Sequence, residues 1–429
     1  MTIIFLLCLF FLLLFLNVPI SFAIGLATFV YMFTAIDFLP AATTVAQRMT
    51  NGVNSFALMA IPFFILSGQI MAQGGIAKRL INCAMALLGA LPGGLALVNV
   101  LSCTFFGAIS GSAVAATSAI GSFMVPQMKK AGYSPEFSAA VTATASTTGL
   151  LIPPSNILII YAIASGGVSI SALFLAGYIP GLLVALALMI FCVIYAKRKG
   201  FKGSERLPLG IVLKQVWQAV PSLALIFIVM GGIISGIFTP TEAGAIAVIY
   251  ALILAAGVYR EVDMEKFGSI LTKTVETTAI VLFLIATSSA LSWMLSYENI
   301  PQELTDTLLT ISENPLMILL IINLILLLIG AFMDMTPAVL IFTPIFLPIA
   351  ATLGIDPLQF GIMMILNLCI GLCTPPVGAI LFVSCAVSKT KIEKMVKPML
   401  PLYVGMIAVL VMVTMFPSIS TFLPSLLAP

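Results

Sequence analysis

The chain has 429 residues, of which 61% are hydrophobic and 8% charged, with 18 Lys and Arg, 15 Asp and Glu and no His. A soluble domain carries roughly 25% charged residues, so this sequence cannot coat a water-facing surface, and its apolar content excludes disorder. What remains is a polytopic membrane protein, and at roughly 20 residues per span the length allows on the order of ten to twelve helices.

From the N-terminus, Met1–Leu16 is apolar but lacks a positive leading segment and a small-residue cleavage site. It is read as a retained first helix over 3–17, not a signal peptide. Further full spans are predicted over 20–36, 54–74, 172–196, 217–238, 243–259, 275–296 and 399–422. Between them, 88–166 and 315–388 are interrupted by Gly, Pro, Ser, Thr and one Asp. A bilayer tolerates such interruptions only where the freed backbone faces protein or a water-filled site.

The charges label topology. The basic stretch Lys197, Arg198, Lys199, Lys202, Arg206 and Lys214 falls mid-chain and is read as a cytoplasmic linker over 197–215. Lys78/Arg79, Lys129/Lys130, Arg260/Lys266/Lys273 and Lys389/Lys391/Lys394/Lys397 are placed on the same side. Glu298, Glu303, Asp306 and Glu313, with no base among them, are placed outside. Arg48, in an external loop before the third span, is the exception. The net charge of +3 and these short clusters give no nucleic-acid footprint. The missing His removes His-based catalysis, metal ligation and proton relays. Cys8, Cys83, Cys103, Cys192, Cys369, Cys373 and Cys385 lie in apolar runs without a CxxC and are read as packing residues.

The two interrupted regions share a register. Pro126/Pro348, Gly132/Gly354, Pro135/Pro357, Gly149/Gly371 and Pro153/Pro375 are all offset by 222 residues, and Pro19/Pro240 by 221. The predicted fold is therefore all-α, with two inverted repeats over 1–196 and 216–429. Each has about five crossings, one of them a broken helix, and one re-entrant hairpin. The hairpins are placed at about 88–127 and 315–350, and the broken helices at about 136–165 and 358–388. This plan puts both termini outside. Inverted repeats with broken helices are the pattern of secondary transporters.

A helix that ends in mid-membrane leaves free N–H groups for anions or free carbonyls for Na⁺. The candidate Na⁺ residues are Ser110, Gly111, Ser112, Gly149, Pro153 and Asn156 in the first half. In the second they are Gly330, Asp334, Met335, Thr336, Gly371, Thr374 and Gly378. Hard oxygen donors of this kind suit Na⁺ and not a transition metal. Asp334 is the one carboxylate predicted deep in a hairpin. It either supports a Na⁺ site or caps the helix beginning at Thr336-Pro337. Glu242 is expected in the first turn of a helix, where the macrodipole favours an acid. Gly107–Gly111 fits either a hairpin tip or a helix-packing GxxxG. No Lys or Arg falls in the repeat cores, so an anionic substrate would meet Na⁺, helix N-termini, and the polar groups of Ser112, Ser155, Asn156 and Thr374. A GxxSG run without His offers no nucleophile–base pair, so an enzyme is not expected.

The run Gly111-Ser-Ala, Ile120-Gly-Ser, Pro126-Gln-Met-Lys-Lys-Ala-Gly-Tyr-Ser-Pro-Glu-Phe137, with Gly149 and Ile152-Pro-Pro-Ser155, resembles the large membrane (M) subunit of TRAP transporters. Phe238-Thr-Pro-Thr-Glu-Ala243 resembles a second motif of that family, and the likeness runs over the whole chain. The resemblance implies a Na⁺-coupled elevator importer of organic acids in the bacterial inner membrane. It also implies a small membrane (Q) partner of about four helices and a periplasmic substrate-binding (P) protein. Many members carry an acid at the position of Ala116, and its absence leans the reading to sialic acid over a C4-dicarboxylate. An ion-coupled organic-anion carrier without a binding protein is the other reading.

Overall fold

The computed structural model describes residues 2–201, 203–204, 207–312 and 314–427; Lys202, Arg206 and Glu313 lie outside the described residues. Among the described residues every regular element is a helix. The first half opens with α1 (Thr2–Phe15), α2 (Ile20–Ala35), α3 (Phe38–Val53), α4 (Ala60–Gln73) and α5 (Ile76–Leu88). A hairpin of α6 (Gly94–Ser110) and α7 (Ala113–Lys130) follows. Next come α8 (Pro135–Leu151), α9 (Asn156–Ala164) and the long α10 (Ile170–Lys199). After the linker the chain forms α11 (Leu209–Ile234), α12 (Pro240–Leu252), α13 (Met264–Tyr297) and α14 (Ile300–Ile311). The second hairpin is α15 (Pro315–Phe332) and α16 (Met335–Thr352). It is followed by α17 (Pro357–Gly371), α18 (Ala379–Ser388), α19 (Ile392–Met415) and α20 (Ser418–Leu427).

Eight of these helices are long and apolar enough to cross a membrane. A ninth crossing is added if α8 and α9, bent by 53° at their break, count as one span. Large apolar side chains such as Phe15, Leu39, Trp217 and Phe227 face outward, as a lipid solvent permits.

Several sequence expectations need correction. Arg48 lies within helix α3 and not in a loop, with its guanidinium 4.9 Å from the Trp293 ring centroid. α3, α5 and α14 fall where no helix was expected. Each divides into polar and apolar faces, and so fails a test for uniform hydropathy. The first hairpin begins at Gly94, since 76–88 is the separate helix α5. The span expected at 275–296 is the last part of the 34-residue α13. The span expected over 399–422 is broken after Met415, just before Pro417, into α19 and α20.

Two close helix contacts hold the interior. A Cβ on Gly149 would stand 2.3 Å from the Gly107 Cα, and one on Gly371 would stand 2.6 Å from the Gly330 Cα. Each hairpin's first arm thus packs, glycine to glycine, on the helix before its own half's break. α8 is buried from Phe137 to Leu151 although Thr142, Thr144, Ser146, Thr147 and Thr148 are all polar. Their hydroxyls donate to carbonyls three or four residues back, which satisfies them without water. Neighbouring helices add Asn99 to Thr142 at 2.7 Å, Thr104 to Thr148 at 2.8 Å and Thr117 to Ser146 at 2.7 Å. The second half has an amide counterpart, Asn367 donating to Asn323 Oδ1 at 2.8 Å. The halves interlock through Ser384 donating to Ala139 O and Tyr161 donating to Pro357 O, at 2.8 and 2.7 Å.

Candidate functional site

The two hairpin tips converge on one crevice of about 350 Å³. From the first tip come Ser110, Gly111 and Ser112, and from the second Asp334, Met335 and Thr336. Asn156, at the start of α9, joins them. The opposite wall is built from α4 and α13, through Ile61, Ile65, Gln69, Thr277 and Ile280 among others. Among the described residues no Lys or Arg lines it.

The first tip is a tight turn. Gly111 ends α6 at φ +61°, a conformation that disfavours a side chain, and its N–H donates to Gly107 O at 2.8 Å. Ser112 then caps α7, its Oγ accepting from the Ala115 N–H at 3.2 Å. The GxxxG reading and the tip reading of Gly107–Gly111 both hold: Gly107 makes the helix contact, and Gly111 makes the turn.

At the second tip Asp334 occupies the N-cap position of α16, and its carbonyl accepts from Ala338 N at 3.2 Å. Its carboxylate lies near the Met335 and Thr336 amides without a capping hydrogen bond. Its side chain is accessible where it lines the crevice. The hairpin tip is inside the bundle, but the crevice reaches it. The carboxylate thus faces both these amides and the crevice.

Behind the tips are the two breaks. The first, Ile152–Ser155, is buried, and Ser155 Oγ and Asn156 Oδ1 have no hydrogen-bond partner among the described residues. The Asn156 amide nitrogen faces Gly111, tying the break to the tip. Orphaned buried oxygens are rare in a native fold and call for a donor or a cation. The second break, Leu372–Gly378, is longer and more open. Thr374 donates to Ile370 O at 2.8 Å, and Gly378, at φ +35°, is flanked by the Leu372 and Thr374 carbonyls.

Of the residues singled out in the sequence, the crevice gathers Ser110, Gly111, Ser112, Asn156, Asp334, Met335 and Thr336. Pro153, Ser155, Thr374 and Gly378 lie in the breaks and do not line it, and Gly149, Gly330 and Gly371 make helix contacts. Glu242 belongs to a capping box: its Oε2 accepts from the Thr239 N–H at 2.8 Å, at the start of α12 and away from the crevice. Sequence reasoning missed Gln69 and Thr277. Gln69 had left a signal as an uncharged polar residue in the apolar run 54–74.

A helical membrane bundle whose two hairpin tips meet at a crevice, with two broken helices behind them, is the architecture of a secondary transporter. Residues 7–419 match the family described as the tripartite ATP-independent periplasmic transporter, DctM component, and the chain belongs to that family. It is thus a large permease of the TRAP class and not an enzyme. It is 54% identical over 413 residues to the uncharacterized protein YgiK of Salmonella typhimurium, covering 96% of this chain and 95% of that one. To the isethionate TRAP transporter permease DctMQ of Oleidesulfovibrio alaskensis it is 43% identical, covering 95% of this chain and 64% of the other. To the sialic acid TRAP transporter large permease SiaM of Vibrio cholerae it is 39% identical, covering 96% of each. Among solved structures, the YdaH transporter of Alcanivorax borkumensis shares the fold, with a TM-score of 0.60, 16% identity and 89% of each chain covered.

Proposed function

We propose that this chain is the transmembrane engine of a Na⁺-coupled, binding-protein-dependent importer of organic acids in a bacterial inner membrane. A small Q subunit and a periplasmic P protein complete the importer, and the hairpin bundle carries substrate by an elevator motion. The observation that carries this reading is the crevice itself. It brings together two helix tips, an uncapped carboxylate at Asp334 and the orphaned amide oxygen of Asn156, with no Lys or Arg. Oxygen acceptors without a basic group suit a hard monovalent cation. An anion can then be held by that cation together with the helix N-termini behind Ser112 and Asp334.

In this reading Na⁺ is met by Ser110, Gly111, Ser112 and Asn156 on one side. On the other it is met by Asp334, Met335, Thr336 and the carbonyls flanking Gly378. Substrate is met by Ser112 and Asn156, with Ser155 and Thr374 in support. Thr277 stands one turn from Lys273 on α13, and Gln69 is four residues from the end of α4, which leads into α5 with Lys78 and Arg79. If basic clusters mark the cytoplasm, the crevice opens inward and both termini are periplasmic.

Ala116 is fully buried and does not line the crevice. Identities of 43, 39 and 38% to permeases named for isethionate, sialic acid and C4-dicarboxylates are too even to rank these acids. The test is uptake of all three into proteoliposomes holding the permease with its Q and P partners. The proposal expects saturable uptake of at least one acid that needs both an inward Na⁺ gradient and the P protein. Transport without the P protein would favour a carrier that works alone, and uptake indifferent to Na⁺ would overturn the coupling.

A further inference from the structure

The crevice has two unlike walls. The tip wall carries the polar groups of Ser110, Ser112, Asn156, Asp334 and Thr336. The wall from α4 and α13 is apolar apart from Gln69 and Thr277. The Thr277 hydroxyl already donates to Lys273 O at 2.8 Å. Gln69 is half-buried on the crevice wall and makes no hydrogen bond to any described residue. An amide on an apolar helix is costly unless it finds a partner. Its neighbour Gly68 packs on the first tip: a Cβ on Gly68 would stand 2.5 Å from the Ser110 carbonyl oxygen. α4 therefore touches the first hairpin tip one residue before Gln69, and Gln69 lines the same crevice as Ser110–Ser112.

We infer that Gln69 is a substrate-binding residue contributed by the wall opposite the tips. Its uncharged amide pairs with the polar group of the organic acid that the tips leave unheld. An amide offers two donors and an acceptor, so it suits a hydroxyl, an acyl amide or a second acidic group. A site built to hydrogen-bond such a group discriminates strongly against analogues lacking it. Gln69 therefore sets selectivity among organic acids, while the tips and the cation hold the shared carboxylate or sulfonate. The inference rests on the proposed organic-acid transport.

The experiment measures equilibrium binding of isethionate, sialic acid and succinate to the permease and its Q partner in nanodiscs at saturating Na⁺. Wild type is compared with Gln69→Leu and Gln69→Asn. The inference expects Gln69→Leu to weaken binding of the preferred acid about tenfold, the worth of a hydrogen bond to a charged or strongly polar group. Gln69→Asn should restore part of that loss, and the Na⁺ concentration for half-saturation should not move. An unchanged affinity in Gln69→Leu, or an equal loss for acid and Na⁺, overturns the inference. Wild type that neither binds nor transports any of the three acids overturns the functional reading instead. Should Gln69→Leu fail to fold, Gln69→Cys in a Cys8→Ser/Cys385→Ser background decides. Protection of the new thiol from a methanethiosulfonate by the bound acid supports the contact, and equal labelling with and without acid overturns it.

Discussion

The two halves solve one problem with different chemistry. Both have a hairpin whose first arm packs glycine to glycine on the helix before the break, through Gly107/Gly149 in one half and Gly330/Gly371 in the other. In the first half the tip and the break carry no charge. Its tip is capped by a serine hydroxyl, and its break is four buried residues ending in orphaned Ser155 and Asn156 oxygens. The second half is open and charged. Its tip carries Asp334 without a capping bond, and its break is longer, with Pro376 and Val377 exposed. A shared scaffold therefore does not require shared ligands. The glycine contacts set where the chain can break, and the residues at each break are free to differ in charge and access.

Three sets of substitutions bear on this contrast, from large effect to small. Gly149→Val and Gly371→Val put side-chain atoms where backbone already stands, and each should cost about 3 kcal/mol or more. The yield and melting temperature of purified permease check this. Similar losses support equivalent contacts, and full tolerance of either would break the equivalence.

Asn156→Ala removes an orphaned oxygen of the first half. It should raise the Na⁺ concentration for half-maximal uptake about tenfold, the equivalent of about 1.4 kcal/mol, while Gln127→Ala, on the solvent-exposed face of α7, should not. An unaltered Na⁺ curve for Asn156→Ala would leave the second half as the sole cation site.

The double change Ser112→Ala/Ser155→Ala should weaken substrate binding by about fivefold and also lower stability by about 1 kcal/mol through the lost α7 cap. Binding calorimetry and thermal melts separate the two effects. Unaltered substrate affinity would remove the first half's hydroxyls from the anion site.

Much of the fold was legible because membrane helices advertise themselves by hydropathy, and the Gly and Pro register marked both hairpins and both breaks. What hydropathy could not show were the amphipathic helices. α5 carries Lys78 and Arg79, and α14 carries Glu303 and Asp306, so neither reads as a span. The hydroxyl-rich α8 falls in the broken helix expected at about 136–165. In the folded chain the helix continues to Leu151, because its hydroxyls bond to their own backbone. The tip residues of the site were readable for the same reason as the breaks. Gln69 was not, because its meaning depends on the Gly68–Ser110 approach, a contact between segments about forty residues apart that no local pattern encodes. Asp334 was found by its charge, but its access to the crevice depends on how α4 and α13 stand off from the tips.

The most direct test of the account is the Na⁺ dependence of uptake in Asp334→Asn, measured beside wild type in proteoliposomes with both partners present. The account assigns the one charged side chain at the meeting of the tips to the coupling cation. It predicts that the variant folds and inserts but loses acceleration of uptake by Na⁺. A variant with wild-type Na⁺ dependence would contradict it.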